Sequence, residues 1–111
     1  IAGMEELDRE LKSTDRPVML DFSAEWCVSC KELEQTTFRD PRVVAKLSGV
    51  KLLRVDVTAN TGQDRALMKR FGLFGPPGIV FFDRSGKEID GTRIIGYVDP
   101  AEFMEKAGLV K

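Results

Sequence analysis

The two cysteines of this 111-residue chain stand together in Trp26-Cys27-Val28-Ser29-Cys30-Lys31, directly after an apolar run and at the start of a helical pattern. That placement limits both fold and chemistry. Residues at i and i+3 on a helix have Cβ atoms ~5–6 Å apart, so modest relaxation brings two sulfurs within bonding distance. At a helix N-terminus, unpaired N–H groups and the positive end of the dipole favour a thiolate on Cys27, with Cys30 one turn deeper. The expected chemistry is thiol–disulfide exchange, with Cys27 attacking and Cys30 resolving. A static clip across so short a loop would constrain little of the unfolded chain. Zinc normally takes four ligands and would need two carboxylates or a second chain here. Copper(I), content with two soft thiolates, stays open as an alternative.

Composition removes other chemistry. The chain has no histidine, so Ser-His-Asp and Cys-His catalysis and His-ligated zinc are excluded, and Lys31 after the second cysteine excludes CxxCH haem attachment. Seventeen basic and eighteen acidic residues give a formal net charge of −1, which offers no bulk attraction to nucleic acid or an anionic membrane. Apolar runs such as Gly78-Ile79-Val80-Phe81-Phe82 are far shorter than the ~20 residues that span a bilayer. One soluble domain over 1–111 is expected. The first residue is Ile1, which reads as an excised or processed piece whose cellular address is not legible.

Periodicity predicts the element order α, β, α, β, α, β, β, α. Met4, Leu7 and Leu11 mark a short amphipathic helix, and Val18 to Phe22 a strand covered on both faces with Asp21 inside. The helix after Trp26 is broken near Phe38, and Asp40-Pro41 caps a second segment to Leu47. Lys51 to Val57 reads as a strand and Gln63 to Phe71 as a helix. Gly78 to Phe82 and Arg93 to Val98 read as an antiparallel hairpin about the polar turn Asp83 to Lys87. Asp99-Pro100 starts a closing helix over Ala101 to Ala107, with Phe103 and Met104 facing in.

Two carboxylates suit proton handling. Asp21 lies six residues before Cys27 on the strand face shared by Met19 and Ser23; burial would raise its pKa and let it take a proton from Cys30. Glu34 comes round to the cysteine side of the helix, where it couples to both thiols and to Asp21 or, as a solvated residue, pairs with a lysine. Val28 and Ser29 put no charge between the cysteines, so the site is expected to be acid-rich.

Asp21-Phe22-Ser23-Ala24-Glu25-Trp26-Cys27-Val28-Ser29-Cys30-Lys31 resembles the active-site strand and loop of the thioredoxin superfamily, and the element order extends the resemblance over the whole chain. It implies a thioredoxin-like α/β fold with a central mixed sheet flanked by helices. Phe74-Gly75-Pro76-Pro77-Gly78 matches the superfamily's cis-proline loop, with Pro77 as the cis residue presenting backbone to an extended substrate. Pro76 departs from the usual aliphatic or threonine residue and removes an N–H donor.

Within the superfamily, Cys27-Val28-Ser29-Cys30-Lys31, Glu34, Thr37 to Val43 and Asp56 to Asn60 are similar to the C-terminal periplasmic domains of bacterial transmembrane thiol:disulfide interchange proteins. The resemblance implies Cys27 as nucleophile, Cys30 as resolver, Asp21 and Glu34 as modulators, Pro76 and Pro77 in the substrate loop, and Trp26 and Phe74 as apolar rim residues. It implies no cofactor beyond the dithiol and a soluble, monomeric periplasmic domain of an inner-membrane protein. Electrons would come from a membrane-embedded cysteine pair and pass to an N-terminal immunoglobulin-like domain of the same protein, which serves disulfide isomerases and cytochrome c maturation. A free-standing thioredoxin-like reductase is the alternative enzyme reading.

Overall fold

In the computed structural model, which describes residues 3–110, helices pack on both faces of a four-stranded sheet. The elements run α1 (Gly3–Lys12), β1 (Val18–Ser23), α2 (Val28–Gln35), a 3-10 turn (Thr37–Arg39), α3 (Pro41–Leu47), β2 (Lys51–Asp56), α4 (Gly62–Arg70), β3 (Gly78–Phe82), β4 (Ile94–Ile95) and α5 (Pro100–Ala107). The sheet order is β2-β1-β3-β4. β1 is parallel to β2 and antiparallel to β3, and β3 is antiparallel to β4.

β1 is buried along its whole length, and its alternating side chains feed two cores. Val18, Leu20 and Phe22 join Leu7 and Leu11 of α1 and Leu67 and Met68 of α4. Met19 joins Leu33, Val43, Phe81 and Phe103 on the other face. Edge-on aromatic contacts tie each side together, Phe22 to Phe71 in the first core and Phe81 to Phe103 in the second.

Helix starts follow the polar residues that precede them. The Asp40 carboxylate accepts from Arg42 N–H and Pro41 occupies the first turn of α3, while Asp99 and Pro100 do the same for α5. α4 has a reciprocal capping box between Thr61 and Asp64. The break near Phe38 is the 3-10 turn, whose Phe38 ring packs edge-on to Phe103.

The expected hairpin is the one element to correct. The return strand covers two residues, not Arg93 to Val98. After the Asp83–Lys87 turn the chain pairs first at Glu88, opposite Phe82, and Ile89 N–H donates to Phe81 O. Gly91 then turns the chain away at φ 76°, and pairing resumes only at Ile94 and Ile95. Gly96, at φ 82°, ends it. Ile94, Ile95, Tyr97 and Val98 are apolar, but two glycines in left-handed conformation limit the pairing, Gly91 before the run and Gly96 within it.

Candidate active site

Cys27 is the N-cap of α2, and its sulfur accepts the Cys30 backbone N–H at 3.2 Å. The two cysteines form a disulfide with their Cα atoms 5.3 Å apart, inside the ordinary bridging range. Both are buried, in the same cluster as Phe22, Ala24, Phe71 and Leu73. A donor aimed at Sγ of Cys27 and the helix N-terminus behind it stabilise negative charge on that sulfur once the bond is reduced.

The loop before the cysteines is held by the segment after β2. Glu25 N–H donates to Thr58 Oγ1 at 2.9 Å and the Trp26 indole N–H to Thr58 O at 3.1 Å. Thr58 is fixed in turn by its N–H and hydroxyl, both donating to Asp56. The Asp56 to Asn60 motif thus braces the cysteine loop from across the sheet. Trp26 is left 59% exposed and Val28 70% exposed, so the entrance to α2 is flanked by open apolar surface.

The Pro76–Pro77 peptide is cis. Pro77 is buried, Pro76 is half-buried, and Pro77 O accepts the Gly96 N–H, which ties the loop to the end of β4. Phe74 projects fully into solvent, so neither it nor Trp26 is a core residue. Phe74 borders a cavity of about 460 Å³ beside α4, together with Asn60, Arg65 and Met68.

Asp21 and Glu34 meet through a residue that the motif reading did not single out. Arg54 Nη2 donates to Asp21 Oδ2 at 3.2 Å and to Glu34 Oε1 at 2.6 Å. Register supplies the geometry, because parallel pairing sets Asp21 beside Arg54. The signal was a basic residue flanked by apolar Leu53 and Val55, in the strand next to one carrying a buried acid. Burial pushes the Asp21 carboxyl above its usual range; Arg54 pulls it back by charge and hydrogen bond, and Glu34 adds to the rise. The acid-rich site expected from sequence therefore contains its own cation.

Asp21 and Arg54 also line a groove of about 460 Å³ between β2 and α3, walled by Met19, Phe38, Val44 and Leu52. Neither cysteine lines that groove. A second cavity, of about 190 Å³, lies past Arg54 among Ser23, Glu25, Lys31, Glu34 and Asp56. Among the described residues there is no group of three or more acidic, cysteine or histidine side chains arranged to hold a metal ion. No described helix is long and apolar enough to cross a membrane.

Comparison with known proteins agrees with this geometry. Residues 4–110 match the family model of a thioredoxin-like domain. The C-terminal domain of DsbD from Neisseria meningitidis superposes with a TM-score of 0.77 in its oxidised form, at 36% identity, covering 96% of this chain and 91% of that one. Its reduced form gives 0.76 at 35% identity, covering 96% and 92%. The thiol:disulfide interchange protein DsbD of Ralstonia nicotianae is 50% identical over 104 residues, which is 94% of this chain and 17% of that protein. A buried CxxC disulfide at a helix N-terminus on this sheet defines a thioredoxin-fold thiol–disulfide oxidoreductase. The chain belongs to the thioredoxin-like domain family and, within it, to the C-terminal domains of DsbD. It spans about a sixth of the length of the curated DsbD proteins that it matches.

Proposed function

We propose that this domain is an electron relay, a soluble periplasmic module of a longer inner-membrane protein. It takes electrons from a membrane-embedded cysteine pair and gives them to an N-terminal immunoglobulin-like domain of the same polypeptide, which serves disulfide isomerases and cytochrome c maturation. The observation that carries the reading is the Cys27–Cys30 disulfide at the start of α2 with the Cys30 N–H on the Cys27 sulfur.

In the donating direction, the Cys27 thiolate attacks one sulfur of the partner disulfide. The partner S–S bond breaks, a Cys27–partner bond forms, and the other partner sulfur leaves as a thiolate and takes a proton. Cys30 gives its thiol proton to the Asp21 carboxylate and attacks Sγ of Cys27. The second partner sulfur is released and protonated, so the partner gains two electrons and the Cys27–Cys30 pair loses two. Glu34 modulates this step through the charge it shares with Asp21 and Arg54. Trp26 and Phe74 form the apolar rim that a partner covers, and Val28 extends it. Pro76 and Pro77 form the loop that faces substrate; with no N–H at either residue, that stretch of loop offers carbonyl acceptors alone.

The test is the equilibrium reduction potential of the pair in defined thiol buffers, read by alkylation of free thiols. A value between about −270 and about −200 mV supports a reducing relay, and one near about −120 mV overturns its direction. Failure to form an intramolecular disulfide at any poise would end the redox reading.

A further inference from the structure

α4 carries a charge arrangement that does nothing for the helix itself. Arg65 and Lys69 stand at i and i+4, both exposed, where like charges repel. No acid lies three or four positions from either residue. Arg65 also follows the Thr61–Asp64 capping box directly, close to the positive end of the helix, where a cation is unfavourable. Among the described residues neither cation has a carboxylate within ion-pair distance, whereas Arg42, Lys51, Arg54, Arg70 and Arg93 each do. Arg65 is nevertheless held in place: its Nη1 donates at 2.6 Å to the carbonyl of Asn60, a residue in left-handed conformation at φ 48°. That bond leaves further guanidinium N–H donors for a carboxylate.

Both cations line the groove of about 460 Å³ beside α4, which also has Met68, Leu73 and the fully exposed ring of Phe74 in its wall. The groove is continuous with the reactive centre. Met68 and Leu73 belong to the cluster that encloses Cys27 and Cys30, and Phe74 leads through Gly75 into the cis Pro76–Pro77 peptide. Asn60, on the other side, ends the segment whose Thr58 braces Trp26.

We propose that this groove docks an acidic segment of the disulfide partner, a stretch that lays an apolar side chain against Phe74 and Leu73 and a carboxylate on Arg65 and Lys69 while its disulfide meets Cys27. The proposal rests on the exchange reaction given above and adds the chemistry of the segment flanking the partner's cysteine. Charge complementarity carries it: two cations without partners at the mouth of an apolar groove are covered favourably only by an anion. Exposed charges of this kind act on encounter more than on residence, so the effect appears in the second-order rate constant and weakens with salt. The chain as a whole, at a formal charge of −1, weakly repels an acidic partner, so a preference for one reports the local pair.

The probes are short synthetic peptides closed by an internal disulfide, identical except that the residues beside a leucine next to one cysteine are glutamates, glutamines or lysines. In each turnover the reduced Cys27–Cys30 pair becomes a disulfide and the peptide disulfide becomes two thiols, read by alkylation. Wild type is expected to reduce the glutamate peptide about tenfold faster than the lysine peptide at low ionic strength, a ratio that shrinks as salt rises. Arg65→Gln with Lys69→Gln should bring the ratio near one, and Arg65→Glu with Lys69→Glu should invert it. Lys12→Gln with Arg84→Gln, which removes the same charge at the end of the sheet away from Gly78, should keep the wild-type ratio. A wild-type ratio near one, or a ratio that survives the loss of Arg65 and Lys69 or falls equally with the loss of Lys12 and Arg84, overturns the proposal. Reduction of hydroxyethyl disulfide with no peptide turned over does the same. Sedimentation of wild type as a dimer that Arg65→Glu with Lys69→Glu dissociates gives the groove to a second copy and also overturns it. Failure to reduce even hydroxyethyl disulfide strikes the exchange reading itself, and this proposal with it.

Discussion

The two faces of β1 are equally buried and do different work. Val18, Leu20 and Phe22 enter a wholly apolar core that also encloses the disulfide, whereas the opposite face carries Met19, then Asp21, then Ser23. Each side chain on the first face adds stability in proportion to the apolar area it removes from water. On the second face, a carboxyl has been taken out of water against its own hydration and only partly compensated by a half-exposed guanidinium. The lesson is that burial alone does not identify the stabilising positions of a strand. One face holds the cysteines in place, and the other gives up stability to keep a carboxyl buried beside Arg54.

The largest effect expected is chemical and sits at the end of the apolar face. Cys30→Ser should abolish turnover and leave Cys27 trapped in a mixed disulfide with its partner, visible as a reducible covalent adduct on a non-reducing gel. Cys27→Ser should abolish turnover with no adduct. An adduct formed by Cys27→Ser rather than by Cys30→Ser would reverse the roles assigned here. Next comes packing: Phe22→Ala removes a fully buried ring that touches Phe71 edge-on and should cost about 3–5 kcal/mol in urea unfolding.

The opposite face should respond with the opposite sign. Asp21 binds its proton more tightly in the folded chain than in the unfolded one, so its contribution to stability is unimpaired below the unfolded carboxyl pKa of about 3.9. That contribution falls as pH rises through the folded value, and the full cost of the buried charge is present at neutral pH. Asp21→Asn should therefore raise the urea midpoint at neutral pH while changing it little at about pH 4, and flatten the dependence between. A variant less stable than wild type at neutral pH would mean that Arg54 more than compensates the buried charge, and the contrast between the two faces would fail.

How much of this was legible in the sequence follows from which features are local. The caps at Asp40 and Asp99, the break near Phe38 and the strand around Asp21 are written in neighbouring residues, and each is found where the pattern puts it. The CxxC at a strand-to-helix junction is local too. Arg54 is not: its meeting with Asp21 depends on parallel register between strands whose paired residues are 33 positions apart, and no periodicity within either strand reports that register. The overlong return strand failed for a different reason. Arg93 to Val98 has strand composition, but backbone geometry at Gly91 and Gly96 decides where pairing runs, and glycine in a sequence permits a left-handed turn without announcing one.

Glu34 offers the smallest effect and the finest division between the faces, because it is an acid of the same network that water still reaches. Its contact with Arg54 is short at 2.6 Å, yet its side chain is 40% exposed and that of Arg54 52%. Ion pairs in that setting contribute about 0–1 kcal/mol, since solvent screens the attraction and two long side chains lose freedom in making it. Glu34→Gln should therefore shift the urea midpoint by less than about 1 kcal/mol equivalent. It should also lower the Asp21 midpoint, because the negative charge on Glu34 is one of the causes holding it up. A small stability change accompanied by a measurable fall in the Asp21 midpoint would assign Glu34 an electrostatic role separate from any structural one. A large loss of stability would make Glu34 part of the scaffold, and the boundary between the two kinds of burial would then run through α2 rather than along β1.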